Sequence, residues 1–496
     1  MSKLKPQNLL ILFCDQHNPE ITGCYGNSIV HTPNIDSLAA KGTVFTSAYT
    51  ATPLCVPARA AMATGNYPFA NGFWDNAHPY SGEQLSWGKR LTEEGISVTA
   101  IGKLHFKDDT AQTFPGQRIA LNVSGGVGDL MTACRTGKGS TPALRKQLLN
   151  AGEGDSDYLH YDAAIARTAA AYLKEEAPKE TAPWCLYVGF TTPHYPLKVP
   201  EELLDLYRPF SQFPVPEEWN QPELLHPALR QYRETIELDK DITAEQLQRA
   251  IAAYYAMVTF MDRQVGVVLQ ALKEAGLEEN TRIIYCDDHG DSAGDHGLFF
   301  KSTMNEGSVR IPLIAAGPDI PAGKRVDSCV SIVDLYSTIL DCMGMEPTGE
   351  ERKLPGVSLF ETISQAEAGT AGASDSQPLT GRAVFSEYHA AGFKRSVFMV
   401  RKGIYKLVRY MGYEEPQLFN LARDPKERDN LAGREEYSGI LKDLMKELEN
   451  ICNTEDVDLR SLEDQKDLME SMGGAAAIEK KGLTPFSAVP EGLGMR

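Results

Sequence analysis

The sequence predicts an α/β protein, a mainly parallel sheet sandwiched by helices and followed by a smaller C-terminal α+β domain built on an antiparallel sheet. Three observations carry that prediction. Short apolar runs rich in Ile, Val, Leu and Tyr recur between helical stretches from Leu9 to Ala316, the pattern of strands buried on both faces. Beyond a polar, low-complexity stretch the texture changes to paired strand-like runs around a tight turn. The length of 496 residues exceeds what one core usually holds.

Taken in order, the strand candidates of the first part are residues 9–14, 97–101, 185–190, 283–286 and 312–316. The clearest helix begins near Thr243, whose hydroxyl stands at capping-box spacing from Gln246, and runs to Gly276, a C-terminal glycine stop. Ile251, Tyr254, Tyr255, Val258, Met261, Val265 and Leu269 give it one apolar stripe. Residues 364–380 are rich in Ser, Ala, Gly and Gln and mark a boundary or exposed loop, which divides the chain into domains at 1–375 and 376–496. After it, residues 396–401 and 404–410 flank Lys402-Gly403 and read as a hairpin. A charged helix near residues 435–451 reads as a solvated surface, and the Gly-, Ala- and Pro-rich tail from about Gly473 reads as a loose end or an arm toward a neighbouring subunit, making a homo-oligomer a partner to test.

Composition limits the function. Hydrophobic residues at 42% and charged residues at 23% are ordinary for a globular protein. A net charge of -18, from 67 acids against 49 bases, argues against a nucleic-acid backbone or an anionic membrane as partner. An anionic substrate therefore needs a local cluster of bases. The nine cysteines are scattered singly, without a CxxC pair, and the apolar run after Met1 is too short for a signal segment. No stretch reaches bilayer length, so the expectation is a cytoplasmic chain with reduced thiols.

Polar clusters follow four of the strand candidates: Asp15-Gln16-His17, Lys103-Leu104-His105, Pro193-His194 and Asp287-Asp288-His289-Gly290. Ligands of open parallel sheets bind beyond the carboxyl ends of strands, so these clusters are expected on one rim. Two acids and a histidine there suit a divalent cation, while Arg59, Lys103 and Lys301 supply charge for a tetrahedral anion. The bland alternative for each residue alone is a turn or a buried hydrophobe. His17, Asp36, Asp287, Asp295 and His296 read as turn or supporting groups, and Trp74, Tyr80, Trp184, Tyr195 and Trp219 as core aromatics rather than an ammonium cage.

Cys55-Val56-Pro57-Ala58-Arg59, followed by Thr64-Gly65, resembles the sulfatase signature Cys-x-Pro-x-Arg, whose cysteine is oxidised to formylglycine. Asp15, Thr32-Pro33-Asn34-Ile35-Asp36, Gly102-Lys103-Leu104-His105, Pro193-His194, Asp288-His289-Gly290 and Gly294-Asp295-His296-Gly297 through Lys301 match the family in order and spacing, and residues 418–425 look like its C-terminal ending. The resemblance implies an alkaline-phosphatase-like fold and a metal held by Asp15, Asp288, His289 and residue 55, with Gln16 at or near that shell. It implies that Arg59 and Lys103 hold the hydrated aldehyde and sulfate, that His105 is the base for the second hydroxyl, and that His194 and Lys301 serve the leaving group. Gln16 after Asp15, Asp288-His289 in place of Asp-Asn, and Asp75-Asn76-Ala77 resemble the choline sulfatase and phosphonate monoester hydrolase branch, where Asn76 would touch the substrate sulfate. The expected cofactors are formylglycine at position 55, made by a formylglycine-generating enzyme, and one divalent metal ion, manganese or calcium. The expected substrate is a small-molecule sulfate monoester. A phosphonate monoester or phosphodiester hydrolase, and a non-catalytic binder of sulfated ligands with Cys55 unmodified, are the alternatives.

Overall fold

The computed structural model describes residues 4–107, 113–123, 128–133, 135, 142–368, 379–474, 476–478 and 487–495. Its centre is an eight-stranded sheet built from β1 (Asn8–Asp15), β2 (Gly42–Phe45), β3 (Ser97–Lys107), β4 (Gln117–Val123), β5 (Trp184–Pro193), β6 (Thr281–Asp287), β7 (Leu313–Ala316) and β8 (Lys324–Val326). The spatial order is β8-β2-β7-β6-β1-β5-β3-β4. Every neighbouring pair is parallel except those made by β7, which runs antiparallel to both β6 and β2. The sheet is therefore mixed, with a parallel centre.

Alternation along β1 explains the layers. Leu10, Leu12 and Cys14 point into one core, and Leu9, Ile11 and Phe13 into the other, all fully buried. Helices α2 (Asp157–Glu175) and α3 (Ala244–Glu274) cover the first face; α1 (Cys55–Thr64) covers the second. The capping box at Thr243 and Gln246 forms as the spacing predicts, and Gly276 takes the left-handed φ of 70°. The buried face of α3 is wider than the single stripe, because Ala250, Ala252, Ala253, Ala256 and Met257 also lie inside.

The antiparallel sheet consists of β9 (Ala383–Tyr388), β10 (Val397–Lys402), β11 (Tyr405–Tyr410) and β12 (Gln417–Asn420), in that order. Its hairpin closes through Gly403, at φ 58°, with Lys402 opposite Tyr405. Phe385, Phe398, Val400 and Leu407 join the core of the large sheet, so the smaller domain is packed into the larger one. The boundary at 375/376 falls outside the described residues.

Two helices complete the C-terminal region. In α4 (Ser438–Ile451), the charged helix of the sequence, Leu444 and Leu448 are fully buried in the core shared with Phe398 and Leu407; only the remaining faces are wet. Helix α5 (Thr454–Ser471), which the apolar pattern does not announce, buries mostly polar residues, among them Asp458, Ser461 and Gln465. No helix among the described residues is long and apolar enough to cross a membrane.

Candidate active site

Three parallel strands deliver acids and a histidine to the same rim: β1 ends on Asp15, β5 leads into His194, and β6 ends on Asp287 with Asp288 and His289 next. Strand β3 reaches it differently from the sequence expectation. It does not stop near Ile101 but continues to Lys107, with its register shifted around Lys103. Gly102 permits this. At φ 94° it packs so closely on β5 that a Cβ would stand 2.2 Å from the Gly189 carbonyl oxygen. Lys103 and His105 consequently lie inside, each nearly without solvent contact.

Cys55 enters on the first turn of α1, where unsatisfied backbone N–H groups and the helix dipole favour negative charge. The Val56 N–H donates to the Asn76 side-chain oxygen at 3.2 Å, which ties the predicted sulfate contact to the start of this helix. Lys301 comes from a loop whose neighbours Phe300 and Ser302 both have left-handed φ, as do Gln16 and His105. Its Nζ donates to Cys55 Sγ at 2.7 Å and stands 5.7 Å from the centre of the Tyr195 ring.

Four buried donor atoms, one each from Asp15, Cys55, Asp288 and His289, lie within 4.8 Å of one another. Each carboxylate is divided between two tasks. Asp15 Oδ1 faces Cys55 Sγ at 3.8 Å and His289 Nε2 at 3.8 Å, while Oδ2 pairs with Lys103. Asp288 Oδ1 lies 3.5 Å from His289 Nε2, while Oδ2 accepts from Arg59 Nε at 2.7 Å. The inner oxygens thus converge on a common centre and the outer ones are held by bases. Burial pushes the His289 imidazole down to about 4, so the ring is neutral at ordinary pH. Its Nδ1 lies 3.0 Å from the Gly290 carbonyl, which can only accept, so Nε2 presents a lone pair to the cluster. The donor set fits a divalent cation taking oxygen and imidazole ligands. Gln16, whose main-chain N–H reaches Asp288 Oδ1, has its Oε1 buried and without a hydrogen-bond partner among the described residues.

Arg59 is bonded on every side. All its N–H groups are engaged within the protein, by Asp288, Asp15, the carbonyls of Cys14 and Lys103, and Tyr187 Oη. It is ion-paired to both carboxylates, and Lys301 is the base in direct contact with residue 55. Burial alone would raise the Asp15 carboxyl, but the charges of Lys103, Lys301 and Arg59 hold it well below the usual carboxylate range. Burial, with the Asp15 charge, pushes the Cys55 thiol up to about 11 against the pull of Lys301 and Lys103. Encoded as cysteine, this residue is a protonated, unreactive thiol at neutral pH.

His105 and His194 flank the cluster. Burial, reinforced by nearby cations, lowers both imidazoles well below their ordinary value. His194 Nδ1 is 2.7 Å from the Tyr195 carbonyl, which leaves Nε2 of the neutral ring as an acceptor. Gln16 is anchored twice, its main-chain N–H to Asp288 Oδ1 at 3.2 Å and its Nε2 to Asp291 Oδ2 at 2.6 Å. The signal that could have found Asp291 is its place two residues past His289 in an Asp-rich run. Tyr158 of α2, 6.0 Å from Lys103 Nζ, and Ser487, 2.6 Å from His105 Nε2, follow no motif.

The supporting groups behave as expected of turn and scaffold residues. His17 bonds Tyr285 and the Ile21 carbonyl, Asp36 accepts from the Cys24 N–H, and Asp295 pairs with Arg428. His289 N–H donates to Asp287 Oδ1. Trp184 is a core residue, Trp74 donates to Asp464, and Trp219 lies against Arg233, so these three build no common cage.

The family model described as Sulfatase matches residues 7–345, and the one described as N-sulphoglucosamine sulphohydrolase, C-terminal, matches residues 294–454. The chain belongs to the sulfatase family. This sulfatase is 29% identical over 465 residues to arylsulfatase K of Danio rerio, covering 90% of this chain and 84% of that protein. It is also 29% identical over 452 residues to the choline-sulfatase of Rhizobium meliloti, covering 87% and 83%. Among solved structures, BT4656 in complex with its substrate D-glucosamine-2-N,6-O-disulfate aligns with TM-score 0.70 at 22% identity, over 93% of this chain and 99% of that one. The phosphonate monoester hydrolase of Agrobacterium radiobacter aligns with TM-score 0.69 at 22% identity, over 90% and 95%. The sulfatase thus has the alkaline-phosphatase-like fold with its C-terminal antiparallel sheet, and it is a sulfuric ester hydrolase.

Proposed function

We propose that the enzyme hydrolyses a small-molecule sulfate monoester, using a formylglycine made from Cys55 by a formylglycine-generating enzyme and one divalent cation, manganese or calcium. The observation that carries this reading is the position of Cys55 Sγ, inside the ring of Asp15, Asp288 and His289 donors and 2.7 Å from Lys301, in a thiol held protonated. A buried sulfur of that kind is a poor nucleophile, and its surroundings suit an oxygen nucleophile instead. Bound there, the cation would supply Lewis acidity to the oxygens of residue 55 and of the sulfate.

Asp15, Asp288, His289 and residue 55 would hold that cation, with Gln16 Oε1 beside it. Arg59 and Lys103 hold the outer carboxylate oxygens in place. Three buried bases, Arg59, Lys103 and Lys301, against the two carboxylates Asp15 and Asp288 tilt this pocket positive within a chain of charge -18, which suits a sulfate group. Asn76, at the start of α1, would contact the sulfate. Lys301 carries the proton suited to the leaving oxygen, since the neutral His194 ring offers only an acceptor at Nε2. His105 accepts the proton of the second hydroxyl of the hydrated aldehyde.

Mass spectrometry of the peptide spanning residues 54–59, from protein made in its native host, tests the modification. Aldehyde in place of thiol is expected; a fully intact thiol together with retained binding of sulfated ligands would make the protein a binder. Cys55→Ser is expected to abolish turnover with folding intact. A matched panel of aryl sulfate and aryl phosphonate esters, with elemental analysis of the same preparation, ranks the substrates. A large phosphonate preference in kcat/KM would make the enzyme a phosphonate monoester hydrolase first and a sulfatase second.

A further inference from the structure

The last described stretch of the chain is packed against the rest. Residues 487–495 run along the core and the start of α2, where Val489 and Leu493 pack against the core and the Met495 N–H donates to Asp157 Oδ1 at 2.8 Å. Asp157 opens α2, and the next residue, Tyr158, has its hydroxyl 3.4 Å from the Ser487 carbonyl oxygen. The same tyrosine ring stands edge-on to His194 at 6.0 Å and 6.0 Å from Lys103 Nζ. Ser487 completes the contact with its side chain, Oγ lying 2.6 Å from His105 Nε2. His105 itself has a left-handed φ of 62° and is 1% exposed. A buried imidazole on a left-handed stretch of backbone thus meets a hydroxyl from far along the chain.

We propose that Ser487 is a positioning residue for His105, and that segment 487–495 forms the wall of the substrate pocket on the side of His105 and Tyr158. This rests on the reading of His105 as the base of the sulfate-ester reaction. A hydroxyl can donate to a ring nitrogen or accept from it, so Ser487 can keep its contact with Nε2 through both proton states of the imidazole. A methyl group in its place cannot. The anchors at Val489, Leu493 and Met495 hold the hydroxyl there, and they also set how much room an alcohol group has beside Tyr158.

The test uses the full-length, formylglycine-bearing enzyme and its variants Ser487→Ala and Ser487→Thr, with a small aryl sulfate as substrate. Ser487→Ala is expected to lower kcat about tenfold with KM nearly unchanged, as for loss of a group that orients a catalytic side chain. Ser487→Thr, which keeps the hydroxyl, is expected to restore most of it. The His105 ring C–H resonance, assigned by its loss in His105→Gln, should shift in the alanine variant and return in the threonine one. An unshifted resonance would remove the contact. A shifted resonance with wild-type kcat in Ser487→Ala would remove the positioning role. Wild-type enzyme that turned over no sulfate ester while the resonance still answered to Ser487→Ala would sink the hydrolytic reading and leave the contact standing.

Discussion

At the scale of single residues, the site is decided by how charge is balanced out of water. Arg59 is fully buried and bridges the outer oxygens of Asp288 and Asp15. Removing one member of a buried ion pair leaves the other uncompensated, and such losses run to about 3–5 kcal/mol. Arg59→Met is therefore expected to lose about that much stability in denaturant unfolding with chelator present. A saturating divalent cation, binding the same two carboxylates, should recover part of the loss, and the recovery should vanish in Asp288→Asn. A variant as stable as wild type in chelator would mean that the acids become neutral when the arginine leaves. The residues of this cluster are legible in the sequence because chemistry restricts them to Asp, His, Lys, Arg and Cys at strand ends. The bonding of Arg59 is not legible there, since a motif records that an arginine is present and not which of its N–H groups are already taken.

At the scale of elements, the end of β9 carries a second buried pair. His389 Nε2 is 2.6 Å from Glu387 Oε2, and His389 Nδ1 is 2.7 Å from Ser396 Oγ. Burial pushes the Glu387 carboxyl up to about 8, and burial, with Arg135 nearby, holds His389 well below its ordinary 6.5. The folded pair therefore holds one proton, on the glutamic acid, which donates it to the neutral ring. In the unfolded chain the glutamate titrates at its ordinary 4.5 and the histidine at 6.5. Between those two values folded and unfolded forms bind the same number of protons, and the pair contributes no slope. From 6.5 to about 8 the unfolded pair holds none and the folded pair one, so stability falls as pH rises, by about 1.4 kcal/mol per pH unit and about 2 kcal/mol in all. Glu387→Gln should flatten that limb in denaturant titrations run across it. An unchanged slope would place the proton elsewhere.

The same scale shows where pattern reading gives out. Strands β1, β5 and β6 are visible as unbroken apolar runs, and α3 as a capped, periodic helix. The extension of β3 past Ile101 is hidden, because Gly102-Lys103-Leu104-His105 has the polarity of a loop and becomes strand only where Gly102 meets Gly189 of β5 and β4 takes up Lys103 and Lys107. Helix α5 is hidden for the opposite reason. It buries Asp458, Ser461 and Gln465 on partners such as Arg135, Asp75 and the His389 carbonyl, so its inner face carries no apolar stripe.

For the whole molecule, the question is what fixes the small sheet against the large one and whether the site depends on it. Lys406, on β11 and without solvent contact, places Nζ 2.9 Å from Glu306 Oε1 and 2.7 Å from Glu427 Oε1. The Glu306 N–H donates to Glu427 Oε2 at 2.7 Å, and Tyr49 Oη donates to the Glu306 carboxylate at 2.9 Å. Burial opposes ionisation of Glu306, but Lys406 and Arg401 hold its carboxyl down to about 2. This charged knot joins the C-terminal domain to the segment that runs on from Lys301, the base touching residue 55. Lys406→Met should therefore cost about 3–5 kcal/mol, through the buried glutamate it strands. It should also lower kcat while the formylglycine content of the preparation stays at the wild-type level, because the fault lies in placing Lys301 and not in maturation. Unfolding followed together with kinetics separates the two effects. A variant that unfolds earlier yet turns over aryl sulfate at the wild-type rate would confine the knot to holding the domains together, and Lys301 would then owe its position to the Phe300 and Ser302 backbone and to the Tyr232 hydroxyl on its own carbonyl.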